Sequence, residues 1–355
     1  MRARSGPYLA SLATAFPSHL LAQRDAVPLL QGLFADEDPE LVRRLAEHSG
    51  VATRHLVLPP ADILRLARFG QRNACYQEAS VVLAETAARR ALERARLAPE
   101  QVDVVLDVSC TGIAIPALDV DLAQRLSLRA DARRVPITES GCAAGALGLG
   151  LAANFAALGQ RALVVAVELS SLTLVQGDRS RANLVASLLF GDGAAAAIVL
   201  PGGGTPCIAA AGSHLFPDTR TAMGFDVSED GLRIVLDKEL PALLRSHLRP
   251  VVERFLARHG RVLADVGLHL VHPGGRRVLE VYRELFGLPD DALRCSEEAL
   301  RRYGNLSSAS ILAVLDLALE AHERPAPGRD ALVLAFGPGL SAEMLLLRWE
   351  QESAP

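Results

Sequence analysis

Short, nearly unbroken apolar runs alternate with longer stretches of helical spacing along this chain. Residues 103–109 (DVVLDVS), 162–168 (ALVVAVE) and 193–200 (GAAAAIVL) read as buried strands. Residues 24–48 and 76–97, rich in Ala, Leu, Glu and Arg at helical spacing, read as helices. Pro201-Gly202-Gly203-Gly204 then breaks the chain, which predicts two units, 1–203 and 204–355. The second unit repeats the scheme. A helix is predicted over 240–259, and strands over 267–272 (GLHLVH), 331–336 (ALVLAF) and 343–349 (EMLLLRW).

The halves also line up position by position. Cys142 lies 32 positions after Cys110, which closes a strand, and Asn305 lies 33 after His272, which closes another. Each opens a run of small residues, CAAGALGLGLA and NLSSASILAVL, that leads on to an apolar strand. This spacing implies an internal duplication with Cys142 and Asn305 at equivalent helix starts. Strands alternating with helices, twice over, imply an α/β fold with mainly buried sheets. A duplicated fold would gather Cys142, Asn305 and His272 around one pseudo-twofold axis.

Composition narrows the function. Of 355 residues, 50% are hydrophobic and only 4% aromatic, so Ala, Leu and Val fill the core. The net charge is -4, with no basic run, which argues against a nucleic-acid partner. The five cysteines, Cys75, Cys110, Cys142, Cys207 and Cys295, are widely spaced without a CxxC pair. That pattern suggests no metal site and no disulfide framework, and it fits a cytoplasmic setting. The start, MRARSGPYLASLATAFP, lacks the continuous apolar stretch of a signal peptide. The most apolar segment, 143–158, is interrupted by Gly145, Gly148, Gly150 and Asn154. It falls short of the roughly 20 apolar residues needed to span a bilayer, so a buried helix is expected.

Three positions carry candidate chemistry. Cys142 sits in Glu139-Ser140-Gly141-Cys142-Ala143-Ala144-Gly145. Glycine permits a tight turn into a helix, and a thiol at a helix N-terminus is expected to favour the thiolate, the form that attacks thioesters. The alternative is an inert buried cysteine. His272, followed by Pro273-Gly274-Gly275, sits at a strand end, where α/β folds bind ligands. A neutral imidazole there pairs with a thiol or donates to a thioester oxygen, unless it is a core histidine bonded to backbone. Asn305, in Tyr303-Gly304-Asn305-Leu306-Ser307-Ser308, reads alone as a helix N-cap. Its mirror relation to Cys142 favours an uncharged donor for an enolate or thioester oxygen.

Together GCAAG, LFGDGAAAAIV (Leu189 to Val199), VHPGG, YGNLSSAS and FGPGLSAE (Phe336 to Glu343) resemble the type III polyketide synthases, the chalcone-synthase-like enzymes. The resemblance runs from about Pro17 to the C-terminus. It implies the thiolase fold, a duplicated five-layered αβαβα arrangement, in a homodimer that uses CoA esters with no metal or cofactor. It implies that Cys142 carries the acyl chain while His272 and Asn305 drive decarboxylation and hold the enolate. Gly337 and Pro338 match the loop shaping the cavity, and Gly274 and Gly275 match a turn lining the CoA tunnel. Arg54 matches a basic position near the CoA phosphates, with a plain surface arginine as the alternative. Ile115 matches the residue that crosses the dimer interface into the partner's cavity.

The implied reaction loads a starter acyl-CoA onto Cys142, extends it with malonyl-CoA and closes a ring. Segments 214–226 and 231–236 resemble the microbial alkylpyrone and alkylresorcinol synthases, which accept long fatty acyl-CoA starters, and the small residues Ala114, Ala222 and Ala242 would leave room for one. Cys110 stands where plant relatives have a hydroxyl residue. Microbial relatives that form tetrahydroxynaphthalene place a cysteine there in the cavity, which leaves a malonyl-primed synthase as an alternative; Cys110 either lines the cavity here in the same way or merely packs. Thr205-Pro206-Cys207-Ile208, read as the cavity entrance, holds no aromatic. Two further alternatives are a ketoacyl-carrier-protein synthase III-like enzyme, whose histidine is typically followed by Gln-Ala-Asn, and a silent acyl-binding partner.

Overall fold

The computed structural model describes residues 6–349, so Met1–Ser5 of the N-terminal stretch lie outside the described residues. The described residues form thirteen strands: β1 Tyr8–Ala15, β2 His19–Ala22, β3 Thr53–Leu56, β4 Val104–Val108, β5 Arg133–Ile137, β6 Ala162–Leu169, β7 Asp192–Leu200, β8 Cys207–Leu215, β9 Met223–Ser228, β10 Gly231–Leu236, β11 Val266–Val271, β12 Asp330–Gly337 and β13 Ser341–Arg348. Nine of them run in the order β11-β12-β13-β8-β1-β7-β6-β4-β5. The joint in the middle is thin, because β8 and β1 share a single pair, Tyr8↔Cys207. On either side of it the pattern is the same. β1 runs antiparallel to β7, β7 antiparallel to β6, and β6 parallel to β4. Likewise β8 runs antiparallel to β13, β13 antiparallel to β12, and β12 parallel to β11. The duplication read from spacing is therefore a duplication of sheets.

Period-two alternation along each strand explains the layers. Ala162, Val164 and Ala166 face one core together with Ala331, Val333 and Ala335. Their neighbours Leu163, Val165 and Val167 face a second core, against helix Phe69–Ala95. Leu332, Leu334 and Phe336 face a third, against helix Leu240–Arg258. The shared inner core also holds helices Ala144–Ala157 and Ala309–Glu320. The result is helix, sheet, paired helices, sheet, helix. Residues facing the paired helices are mostly small, which lets both sheets close onto them at interior packing density.

One glycine sets how near the paired helices come. A Cβ on Gly145 would lie 2.2 Å from the Ser308 carbonyl oxygen. Without a side chain there, the segment entering one central helix touches the segment entering the other. Cys142 and Asn305 lie on those two segments.

Several expectations change. The predicted helix over 24–48 is two helices, Gln23–Leu33 and Pro39–His48, and Asp38 caps the second by accepting from Glu40 N. β1, β5, β8 and the hairpin β9–β10 were not anticipated. β5 carries Arg133 and Arg134 and is exposed at the sheet edge, so no apolar run marks it. Among the described residues, no helix is long and apolar enough to cross a membrane.

Candidate active site

The connections leaving the duplicated strands converge on one cavity of about 410 Å³. β4 delivers Cys110, β11 delivers His272, and the segment after β5 delivers Gly141 and Cys142. Cys110, Cys142, His272, Asn305 and Ser307 all line the cavity, with Gly274, Gly275, Phe336 and Pro338. Cys142 sits in the turn Gly141–Ala143, two residues before helix Ala144–Ala157. Gly141 has φ +52°, and a Cβ on it would meet the Pro338 ring at 2.6 Å. Both facts require glycine at that turn. Gly337 fits as closely, since its Cβ would lie 2.8 Å from Ser140 O. The 336–339 loop is therefore pressed against the turn that presents the thiol.

Asn305 does not cap the following helix, which begins four residues later at Ala309. Its Oδ1 accepts from Ser307 N at 2.8 Å, an Asx-type turn, and from Ser310 Oγ at 3.3 Å. Those bonds orient the amide so that Nδ2 is the end left for a ligand, with one long bond to Gly274 O at 3.3 Å. His272 is 2% exposed; its backbone N donates to Leu334 O at 2.7 Å. Its Nδ1 has no hydrogen-bond partner among the described residues. Two other histidines are bonded through the same nitrogen: His55 Nδ1 lies 2.7 Å from Pro17 O, and His269 Nδ1 lies 2.8 Å from Tyr282 OH.

Burial dominates the electrostatics. It pushes the Cys142 thiol up to about 12 and the His272 imidazole down to about 4. The expectation of a thiolate held by a helix terminus is thus corrected, because desolvation outweighs backbone donors on a fully enclosed sulfur. Both groups rest uncharged at neutral pH unless the thiol's proton passes to a partner. Cys142 Sγ lies 3.3 Å from Ser307 Oγ, and Cys110 Sγ lies 3.4 Å from the same oxygen. Beneath them Glu168 is fully buried, and burial raises its carboxyl above the usual range. It accepts from Ser308 Oγ, from Thr111 Oγ1 at 2.7 Å and from Cys110 N at 3.1 Å. Sequence reasoning missed Glu168 and Ser307. The signal for Glu168 was an acid closing an otherwise apolar strand.

Other expected positions fall elsewhere. Arg54 is 3% exposed and lies beside buried Asp192, so it is neither a surface residue nor placed to meet CoA phosphates. The cations that line the cavity are Arg181, Lys238 and Arg277, all exposed. Thr205–Ile208 do not line the cavity; Phe190, Phe225 and Phe336 do, so the space is not without aromatics. Ala114, Ala222 and Ala242 are absent from its lining as well, and Ala222 is packed in the outer core. Ile115 stands 95% exposed outside the cavity.

A buried thiol, an imidazole and a carboxamide lining one cavity, on two duplicated sheets within a five-layered fold, define a thiolase-fold condensing enzyme. The family pattern "Chalcone and stilbene synthases, N-terminal domain" matches residues 1–204, and its C-terminal counterpart matches 207–350. The chain belongs to this family and is a type III polyketide synthase. It is 44% identical to the 1,3,6,8-tetrahydroxynaphthalene synthase of Streptomyces peucetius subsp. caesius, over 97% of this chain and 93% of that one. It is 30% identical to the phloroglucinol synthase of Pseudomonas fluorescens, over 94% and 97%. The crystal structure of the tetrahydroxynaphthalene synthase of Streptomyces coelicolor A3(2) superposes with a TM-score of 0.92 at 32% identity, covering 97% of this chain and 99% of that one.

Proposed function

We propose that this synthase loads an acyl group from CoA onto Cys142, decarboxylates malonyl-CoA with His272 and Asn305, and extends the chain before ring closure. The observation that carries the reading is the shared cavity of Cys142, His272 and Asn305, with the Asn305 amide oriented to leave Nδ2 for a ligand. The buried carboxyl of Glu168 stands behind Cys110 and Ser308, so the site itself presents uncharged donors to an enolate. Exposed Arg181, Lys238 and Arg277 share the cavity lining with buried Cys142, so they mark its mouth, where they suit the phosphates of CoA. Gly274, Gly275, Gly337 and Pro338 shape the passage between mouth and thiol, and Cys110 borders the chain. A cytoplasmic setting, where CoA esters are made, fits this chemistry.

Purified protein given carboxyl-labelled malonyl-CoA and a panel of acyl-CoAs should release labelled carbon dioxide and form products heavier by successive two-carbon units. Release only from the malonyl carrier protein, or none at all, would refute the reading.

A homodimer extends the same proposal. Ile115 lies four residues after the cavity-lining Cys110-Thr111 segment and is 95% exposed. Ile115 would reach into the partner's cavity. Sedimentation should show a dimer that Ile115→Asp weakens; a wild-type chain that stays monomeric throughout counts against it.

A further inference from the structure

Behind one wall of the catalytic cavity lies a second space of about 100 Å³. Ser170, Thr173, Phe190 and Ile234 line both. The rest of the side pocket is largely apolar, built from Leu21, Leu30 and Ile63 among others, with Arg54 as the one charged residue in the lining among the described residues.

Arg54 is not accounted for by its surroundings. Its Nη1 is buried and has no hydrogen-bond partner among the described residues. Asp192, the carboxylate beside it, is already engaged: it accepts from Val57 N at 2.7 Å, Ser171 N at 2.8 Å and Ser171 Oγ at 2.5 Å. Asp192 therefore balances the charge of Arg54 without satisfying its fork of donors. A buried unpaired donor costs about 1–3 kcal/mol, and a ligand oxygen would relieve that cost. Burial pushes the guanidinium down to about 10, so it remains a cation at neutral pH.

We propose that this side pocket is an acceptor subsite: it receives the far end of the Cys142-bound chain and binds it through Arg54 when that end carries an oxygen acceptor, a carboxylate above all. The subsite rests on the acyl-loading role of Cys142. It names the class of starter, an ω-carboxyacyl thioester, and disfavours a long alkyl tail. At about 100 Å³ against about 410 Å³, the side pocket is much smaller than the catalytic cavity, with room for the short end of a chain and not for the length of a fatty one.

The test compares starters of matched length. Wild-type protein is assayed with malonyl-CoA as extender and with ω-carboxyacyl-CoAs from succinyl to adipyl against their alkyl counterparts. At least one ω-carboxy starter should exceed its alkyl partner about tenfold or more in kcat/KM. Arg54→Lys keeps a cation beside Asp192 but withdraws the fork; it should raise KM for that starter about tenfold, leaving kcat and the alkyl starters unchanged. Ala186→Leu fills the side pocket from a residue that does not line the catalytic cavity, and should raise KM for longer starters while sparing acetyl-CoA. If wild-type protein prefers alkyl chains, if Arg54→Lys affects both series equally, or if Ala186→Leu changes nothing, Arg54 is met by water or plays only a packing role and the subsite is wrong. Condensation without discrimination overturns the subsite alone. Failure with every starter, with no carbon dioxide released, overturns the condensing-enzyme reading and takes the subsite with it.

Discussion

Cys142→Ala should form no condensed product with any acyl-CoA, a loss of about 10⁴-fold or more, while keeping a measurable fraction of malonyl-CoA decarboxylation. The loss follows from covalent catalysis. Without a sulfur to hold the chain, loading and extension no longer proceed through two easy transfers, and removing a nucleophile from such a unit typically costs about that much or more. The neighbouring groups offer no substitute. Cys110 Sγ reaches the same Ser307 oxygen, but burial and Glu168 both raise its thiol. The Ser307 hydroxyl is a far weaker nucleophile than a thiolate. Decarboxylation should persist because His272 and Asn305, the proposed donors to the enolate, stay in place. Product counting by mass and labelled carbon dioxide read the two halves separately. A Cys142→Ala protein that still condenses at a tenth of the wild-type rate would place the nucleophile elsewhere.

His272→Ala should slow alkylation of Cys142 by iodoacetamide at pH 7 about 10²-fold or more, with the rate recovering only as pH rises far into the alkaline range. The sign follows from burial. A thiol pushed up to about 12 is almost entirely protonated at neutral pH, so a thiolate forms there only when a base in the same enclosure takes its proton. His272, with its imidazole pushed down to about 4, is neutral and has a lone pair to offer, though burial disfavours a lone imidazolium. The ion pair formed by that transfer offsets part of the desolvation each charge would suffer alone. General-base assistance of this kind is worth about 10²–10⁴. Asn305→Ala supplies the contrast. It should leave alkylation near the wild-type rate and cut decarboxylation about 10²–10³-fold, the usual cost of one oxyanion donor. Equal alkylation profiles for wild-type and His272→Ala proteins would end the base assignment.

Much of the frame was legible in the order of residues. The strands containing Val104–Val108, Ala162–Leu169 and Asp330–Gly337 are buried on both faces, so each reads as a nearly unbroken apolar run. The paired spacings Cys110–Cys142 and His272–Asn305 reflect the same supersecondary unit built twice, which the matching strand directions on either side of the Tyr8↔Cys207 joint display. Elements with mixed burial were harder. β5 is a charged edge, β8 alternates buried and exposed positions, and the break at 34–38 hid inside a helix-rich composition. Arg54 misled for a related reason: an arginine in a short polar stretch gives no local sign that it folds inward against Asp192.

Local pattern alone determined that this chain makes two copies of an α/β unit, and which side chains, a sulfur, an imidazole and a carboxamide, stand at their turning points. Periodicity and turn chemistry act between near neighbours, so one sequence suffices to show them. Only the tertiary structure decided that the three meet, that Glu168 and Ser307 stand among them, and that Arg54 faces a side pocket. It also decided the protonation of the site. Desolvation depends on everything packed around an atom, and at Cys142 those surroundings come from segments nearly two hundred residues away, such as Pro338 of the far loop.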